Sequence, residues 1–196
     1  MKTFPTIEAM AFLVMLFLAS CNPKQQQNTV AGNETDTLAV MQRGDSIANA
    51  MQEVLLQNVM TATKKGGPVY AVAFCNERAV SLTDSLSKVY SCQIQRISDK
   101  YRNPANKPNE NDEAVLLKLK SSNPVKPFLV SENGQNIYYK PIKIAMPACL
   151  NCHGVEGKEI TMETLAAIRK KYPDDMATGY KEGDFRGMWK ITFMEK

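Results

Sequence analysis

Residues 186–194 read R-G-M-W-K-I-T-F-M. Trp189, Ile191 and Phe193 alternate with other residues, the period-two pattern of a half-buried strand. What precedes this strand decides the fold. Residues 127–131 and 136–144 are two further extended runs, and Asn133-Gly134 between them is a hairpin signal. Pro141 implies that the second run is an edge, or is bulged, at that point. C-Q-I-Q-R-I-S at 92–98 reads as another strand. No helix alternates regularly with these strands, so parallel βαβ units are excluded and an α+β domain with an antiparallel sheet is expected.

Helices occupy the rest. From Leu38 to Lys65, Ile47, Met51, Leu55, Asn58 and Ala62 fall near one face, and K-K-G-G-P stops the run. Pro68 suits the first turn of a second helix reaching about Val89. Its apolar stripe is Val72, Cys75, Ala79, Leu82 and Leu86, so Cys75 faces inward. Glu110–Ser121 has acids in its first turn and Lys118 and Lys120 at its end, matching a helix dipole. Residues 148–153 fit a single helical turn stopped by Gly154, and Thr161 caps a helix ending at Tyr172 before Pro173. Residues 101–109 and 172–184 are loops.

The chain has 196 residues and a net charge of +4. That length suits one domain plus a tail. With so mild a charge and no long basic run, no nucleic-acid footprint is expected. The apolar run Ala11–Leu18 is too short to span a bilayer and reads as the core of a signal peptide over residues 1–20. L-A-S-C ending at Cys21 resembles a bacterial lipobox, which implies lipid on Cys21. Residues 21–37 are polar and Gln/Asn-rich, so they are expected to be a disordered tether, with the folded domain at 38–196. An exported lipoprotein facing the periplasm or cell exterior follows, anchored to a membrane through Cys21.

Residues 149–154 read C-L-N-C-H-G, and His153 is the single histidine. C-x-x-C-H is the attachment signature of c-type haem. Two thiols add to the vinyl groups of one porphyrin edge, and the adjoining histidine is carried under the ring to the iron. Gly154 leaves room for the ring edge. Two rivals exist. Zinc would need Cys75 or Cys92 as fourth ligand, but adjacent Cys and His seldom point at one ion. A dithiol redox site wants a βαβ junction, which is absent. With one histidine, bis-histidine ligation within the chain is excluded. Methionine, cysteine, lysine or water must take the other axial position, and Cys75 is either a core residue or that ligand. A thiolate there would favour ferric iron and a low potential.

Four blocks carry a family resemblance: P-V-Y-A-V-A-F-C-N-E-R-A, R-I-S-D-K-Y-R-N-P-A-N-K-P-N, C-L-N-C-H-G and Y-P-D-D-M-A-T-G-Y-K-E-G-D-F-R-G-M-W. In order and content they resemble the Tll-type PAS-like c-type haem domain, over about residues 40–196. The resemblance implies a PAS-like antiparallel sheet with N-terminal helices and a short haem-attachment helix. It implies one covalent haem c on Cys149 and Cys152, His153 as proximal ligand and Cys75 as distal ligand. Arg96, Lys100 and Arg102 are candidates to meet the propionates, since guanidinium suits carboxylates. Asp174, Asp175, Asp184 and Arg186 are expected to order the last loop, and Cys92 has no assigned role.

No acid/base pair or nucleophile near the motif points to an enzyme. The expected function is a redox or gas sensor, with NO or CO as ligand, signalling through a partner protein. A membrane-tethered electron-transfer cytochrome is the alternative, and a zinc or dithiol redox domain the second alternative.

Overall fold

The computed structural model describes residues 34–194. The signal-peptide, Cys21 and tether expectations up to residue 33 lie outside the described residues. The first helix, α1, spans Glu34–Tyr90. It therefore starts ahead of the Leu38 expected from apolar periodicity. Asp36 falls in its first turn, where a carboxylate suits the dipole. The two expected helices are its two limbs. Gly66 (φ −158°, ψ 28°) and Gly67 (φ 70°, ψ −173°) leave helical space between them, and Pro68 opens the second limb. Among the described residues no helix is apolar enough over its length to cross a membrane.

Four strands follow: β1 (Cys92–Ile97), β2 (Phe128–Glu132), β3 (Gln135–Lys143) and β4 (Phe185–Phe193). They form one antiparallel sheet in the order β1-β4-β3-β2. The fold is α+β, as expected. Pro141 pairs with Met188 on the β4 side, whereas β2 stops at the Phe128–Tyr139 pair. The proline thus sits where β3 has lost its other neighbour and forfeits no ladder bond there.

The closing strand departs from expectation. β4 is central, and both of its faces are buried rather than one. Trp189, Ile191 and Phe193 pack with Tyr138 and Ile94 against Ile47, Ala48 and Met51 of the first limb of α1. On the other face Met188 packs with Ile97, Ile137 and Tyr139 against Leu116 and Leu119 of α2 (Glu110–Ser121). Lys190 belongs to that second face and is neutralised there by Asp112 at 2.8 Å. A residue that reads as solvated in sequence is largely screened from solvent because α2 brings it a counter-charge.

Polar bonds fix the first limb on the sheet. Trp189 Nε1 donates to Gln52 Oε1 at 2.9 Å, and Tyr138 Oη and Lys140 Nζ donate to Asp45 at 2.8 and 2.6 Å. The Lys140 bond is the largest influence holding Asp45 below its ordinary value. A carboxylate depressed in the folded state stabilises it at neutral pH and loses that contribution as the pH falls through its folded value. Asp45→Asn should lower the urea midpoint at pH 7. The gap should close as the pH drops below the ordinary carboxylate range, which urea titrations across the acid range would check.

Two short helices complete the site region. α3 (Leu150–His153) continues from a 3-10 turn at Pro147–Cys149, and α4 (Met162–Lys171) is capped by Thr161, whose Oγ1 accepts from Thr164 N at 3.2 Å. Leu165, Ile168 and Tyr172 pack α4 on Val72 of the second limb of α1.

Candidate functional site

The second limb of α1, the β1 and β4 ends of the sheet and the α3 turn enclose a cleft of about 980 Å³. That lies at the upper end of small-molecule and cofactor sites, roughly 300–1,000 Å³. Cys75, Arg96, Arg102, Cys149, Cys152 and His153 all line it. These positions are far apart in sequence, and the fold brings all six to one space.

The α3 turn is held by the loop that follows α4. Gly154 N closes the turn on Leu150 O at 2.8 Å, and a Cβ on Gly154 would lie 2.7 Å from Leu150 O and from Glu159 Cβ. Packing within the chain thus demands this glycine. Gly179 N donates to Gly154 O at 2.7 Å and Tyr180 N to His153 O at 2.9 Å. His153 Nδ1 lies 2.7 Å from Ala177 O, and its ring meets Tyr180 edge-on at 6.2 Å between centroids. A backbone carbonyl can only accept, so Nδ1 carries the proton and Nε2 keeps its lone pair for a metal. Burial foremost, then Arg102 and Arg186, hold this imidazole well below its ordinary value. His153 is therefore neutral, the form that ligates.

Arg102 ties these pieces together. Its Nε donates to Asp175 Oδ1 at 3.0 Å, and its Nη2 to Asp175 Oδ2 at 3.1 Å, Cys152 O at 2.6 Å and Ala177 O at 3.4 Å. One guanidinium joins the α3 turn to the carbonyl that orients His153. Asp175 also accepts from Ala177 N at 3.0 Å, so it does order this loop. Asp184 Oδ2 accepts from Lys181 N at 2.7 Å. Lys100 Nζ bonds Thr178 O and lies 4.4 Å from the centre of the Tyr180 ring.

Cys75 is partly exposed to the cleft. Burial pushes its thiol up, while Arg96 and Arg102 pull it down. Burial likewise raises Cys152 to about 11. Cys92 is a buried thiol in the α1–sheet core. All four described cysteines are free. Among the described residues no three His, Cys, Asp or Glu side chains gather around one point that could hold an ion.

Arg186, read from sequence as a loop-ordering residue, is a cleft residue. Ile142 pairs with Gly187 and Lys143 with Phe185, so Arg186 is the extra residue of a β-bulge in β4. Without the bulge its side chain would share the Met188 face. Gly187 permits the distortion, with φ 148° and a hypothetical Cβ 2.4 Å from Ile97 O. The i, i+2 pattern of the strand gives no hint of this. The only local signal is a glycine inside the strand.

The class is thus an α+β domain in which a bent helix and an antiparallel sheet enclose a preformed cleft, with a C-x-x-C-H turn and a helix cysteine on its walls. The chain belongs to the Tll0287-like family, whose profile matches residues 24–193. The crystal structure of the cyanobacterial heme-protein Tll0287 has the same fold, with a TM-score of 0.58 and 22% identity, covering 75% of this chain and 92% of that one. No curated protein matches the chain.

Proposed function

We propose that this chain is a c-type haem protein with His/thiolate axial ligation, acting outside the cytoplasm as a redox or gas-sensing module that signals through a partner. The carrying observation is the convergence of Cys149, Cys152, His153 and Cys75 on one cleft of about 980 Å³. The solved haem protein with this fold supports the same reading. So does the donor chemistry, because only His153 and Cys75 would share the iron, while the Cys149 and Cys152 sulfurs would bond vinyl carbons at the ring edge.

Cys149 and Cys152 would hold the porphyrin, and His153 and Cys75 the iron. When bound, the haem supplies a one-electron ferric/ferrous couple and an axial position that a small ligand can take. The protein's own residues set the terms. Ala177 O holds His153 in the tautomer that presents Nε2. Arg102 and Asp175 fix the turn and that carbonyl together. The Cys75 sulfur, if anionic, favours ferric iron. With Cys75 held at the iron, uptake of NO or CO would require its release, which would couple ligand binding to the second limb of α1. Residues 1–20 and Cys21 would export and anchor the domain, keeping it beside a membrane partner.

The test is a visible spectrum of protein matured in a host that attaches c-type haem. A Soret band that stays with the polypeptide under denaturing conditions is expected. Colourless mature protein removes the proposal. CO binding to the reduced form favours sensing, whereas reversible cycling without ligand uptake makes it an electron carrier.

A further inference from the structure

Three arginines line the cleft, and they are not equivalent. Arg102 is neutralised by Asp175, and its hydrogen bonds go to protein. Among the described residues neither Arg96 nor Arg186 has an ion-pair partner. Arg96 rises from β1. Its Nη2 donates to the Asn106 amide oxygen at 3.2 Å, with that amide turned so that its nitrogen faces Arg96 O. The titratable groups acting on it are Cys75, Tyr172 and Arg102, with no carboxylate among them. Arg186 is 8% exposed. Its Nη1 donates to Ser98 Oγ at 2.8 Å and Lys100 O at 3.0 Å, and its guanidinium lies 5.4 Å from the centre of the Tyr180 ring. Its Nε and Nη2 have no protein acceptor among the described residues. No fully buried polar side-chain atom among the described residues is left without a partner, so those two nitrogens are not sealed off, and Arg186 lines the cleft.

Gathering like charges in a low-dielectric site is costly, several kcal/mol per ion when unpaired. The β-bulge that swings Arg186 into the cleft adds to that cost instead of relieving it. Such an arrangement makes sense when an anion occupies the space. We infer that Arg96 and Arg186, from adjacent strands, form a two-point seat for a pair of carboxylates. On the haem reading, on which this rests, the carboxylates are the two propionates. Arg102 is then a positioning residue for the attachment turn. The seat gives the cofactor a fixed orientation, with its vinyl edge at α3 and its acidic edge at the β1/β4 end of the sheet. That acidic edge also supplies negative charge to three cleft arginines whose one nearby carboxylate among the described residues, Asp175, is already bonded to Arg102.

The experiment uses full-length, haem-loaded protein and reads the propionate bending bands by resonance Raman, in H₂O and D₂O, alongside the midpoint potential. In the wild type the bands should move in D₂O, because the carboxylates accept from exchangeable guanidinium protons. Arg96→Gln and Arg186→Gln should each displace the bands. Each should also cut the ferrous/ferric ratio at fixed ambient potential roughly tenfold, about 59 mV for one electron. Losing a cation beside an ionised propionate favours ferric iron. Arg186→Lys should retain most of the ratio. Should Arg186→Gln fail to accumulate, the wild-type D₂O shift and Arg96→Gln decide alone. Haem-loaded protein whose bands ignore both D₂O and these substitutions overturns the seat and leaves the haem reading standing. Colourless wild type overturns both.

Discussion

Replacing Cys75 with alanine is expected to move the Soret band and raise the midpoint potential by more than about 100 mV, a modest part of the roughly 0.8 V over which axial ligands tune haem. The direction follows from charge. A thiolate brings a negative charge to the metal and stabilises its ferric state, and alanine removes it. Burial pushes the Cys75 thiol up, with Arg96 and Arg102 only partly offsetting it, so a thiolate there would rely on the iron as its counter-charge. The second limb of α1 should tolerate the change, because Cys75 lies at the cleft wall rather than among fully buried side chains. Cys75→Met separates sulfur from charge: a neutral thioether should give a potential above the wild type. CO should bind the reduced Cys75→Ala protein faster than the wild type, because no ligand has to leave first. A Soret band and potential unmoved in Cys75→Ala would remove the thiolate from the iron. The haem would then keep only the attachment turn and His153.

Cys75 was legible in sequence because a helix repeats every three or four residues, and Val72, Cys75, Ala79, Leu82 and Leu86 follow that spacing. The C-x-x-C-H turn and the Thr161 cap were legible for the same kind of reason: their information is local. Arg186 was not. Its entry into the cleft depends on a register slip between β3 and β4, decided where Gly187 passes under Ile97 O. The role of Arg102 was equally hidden, because it depends on meeting Asp175 across 73 residues of sequence. Sheet order was invisible for a similar reason. Alternation told which residues of β4 share a face, but not that α2 would cover the face carrying Lys190.

That covered face gives the largest expected loss of stability. Asp112→Ala should lower the unfolding free energy by about 3–5 kcal/mol, the usual cost of removing one partner of a buried ion pair. Relative exposure is 4% for the Asp112 side chain and 13% for that of Lys190. Without Asp112 the ammonium stays on a central strand, under α2, with no counter-charge and little water. Asp112 also sits in the first turn of α2, with its backbone N–H donating to Asn109 Oδ1 at 2.8 Å. Its carboxylate therefore favours that helix end as well. For a domain of this size the change corresponds to a fall in melting temperature of roughly 6–20 °C. The pair itself need not be better than an apolar contact, because desolvating two charges offsets much of their attraction. Asp112→Leu with Lys190→Met should therefore recover most of the loss and could exceed the wild type. Chemical denaturation of the three proteins tests this directly. A single substitution costing under about 1 kcal/mol, the scale of solvent-exposed pairs, would mean that water reaches Lys190 and that α2 does not seal this face of β4.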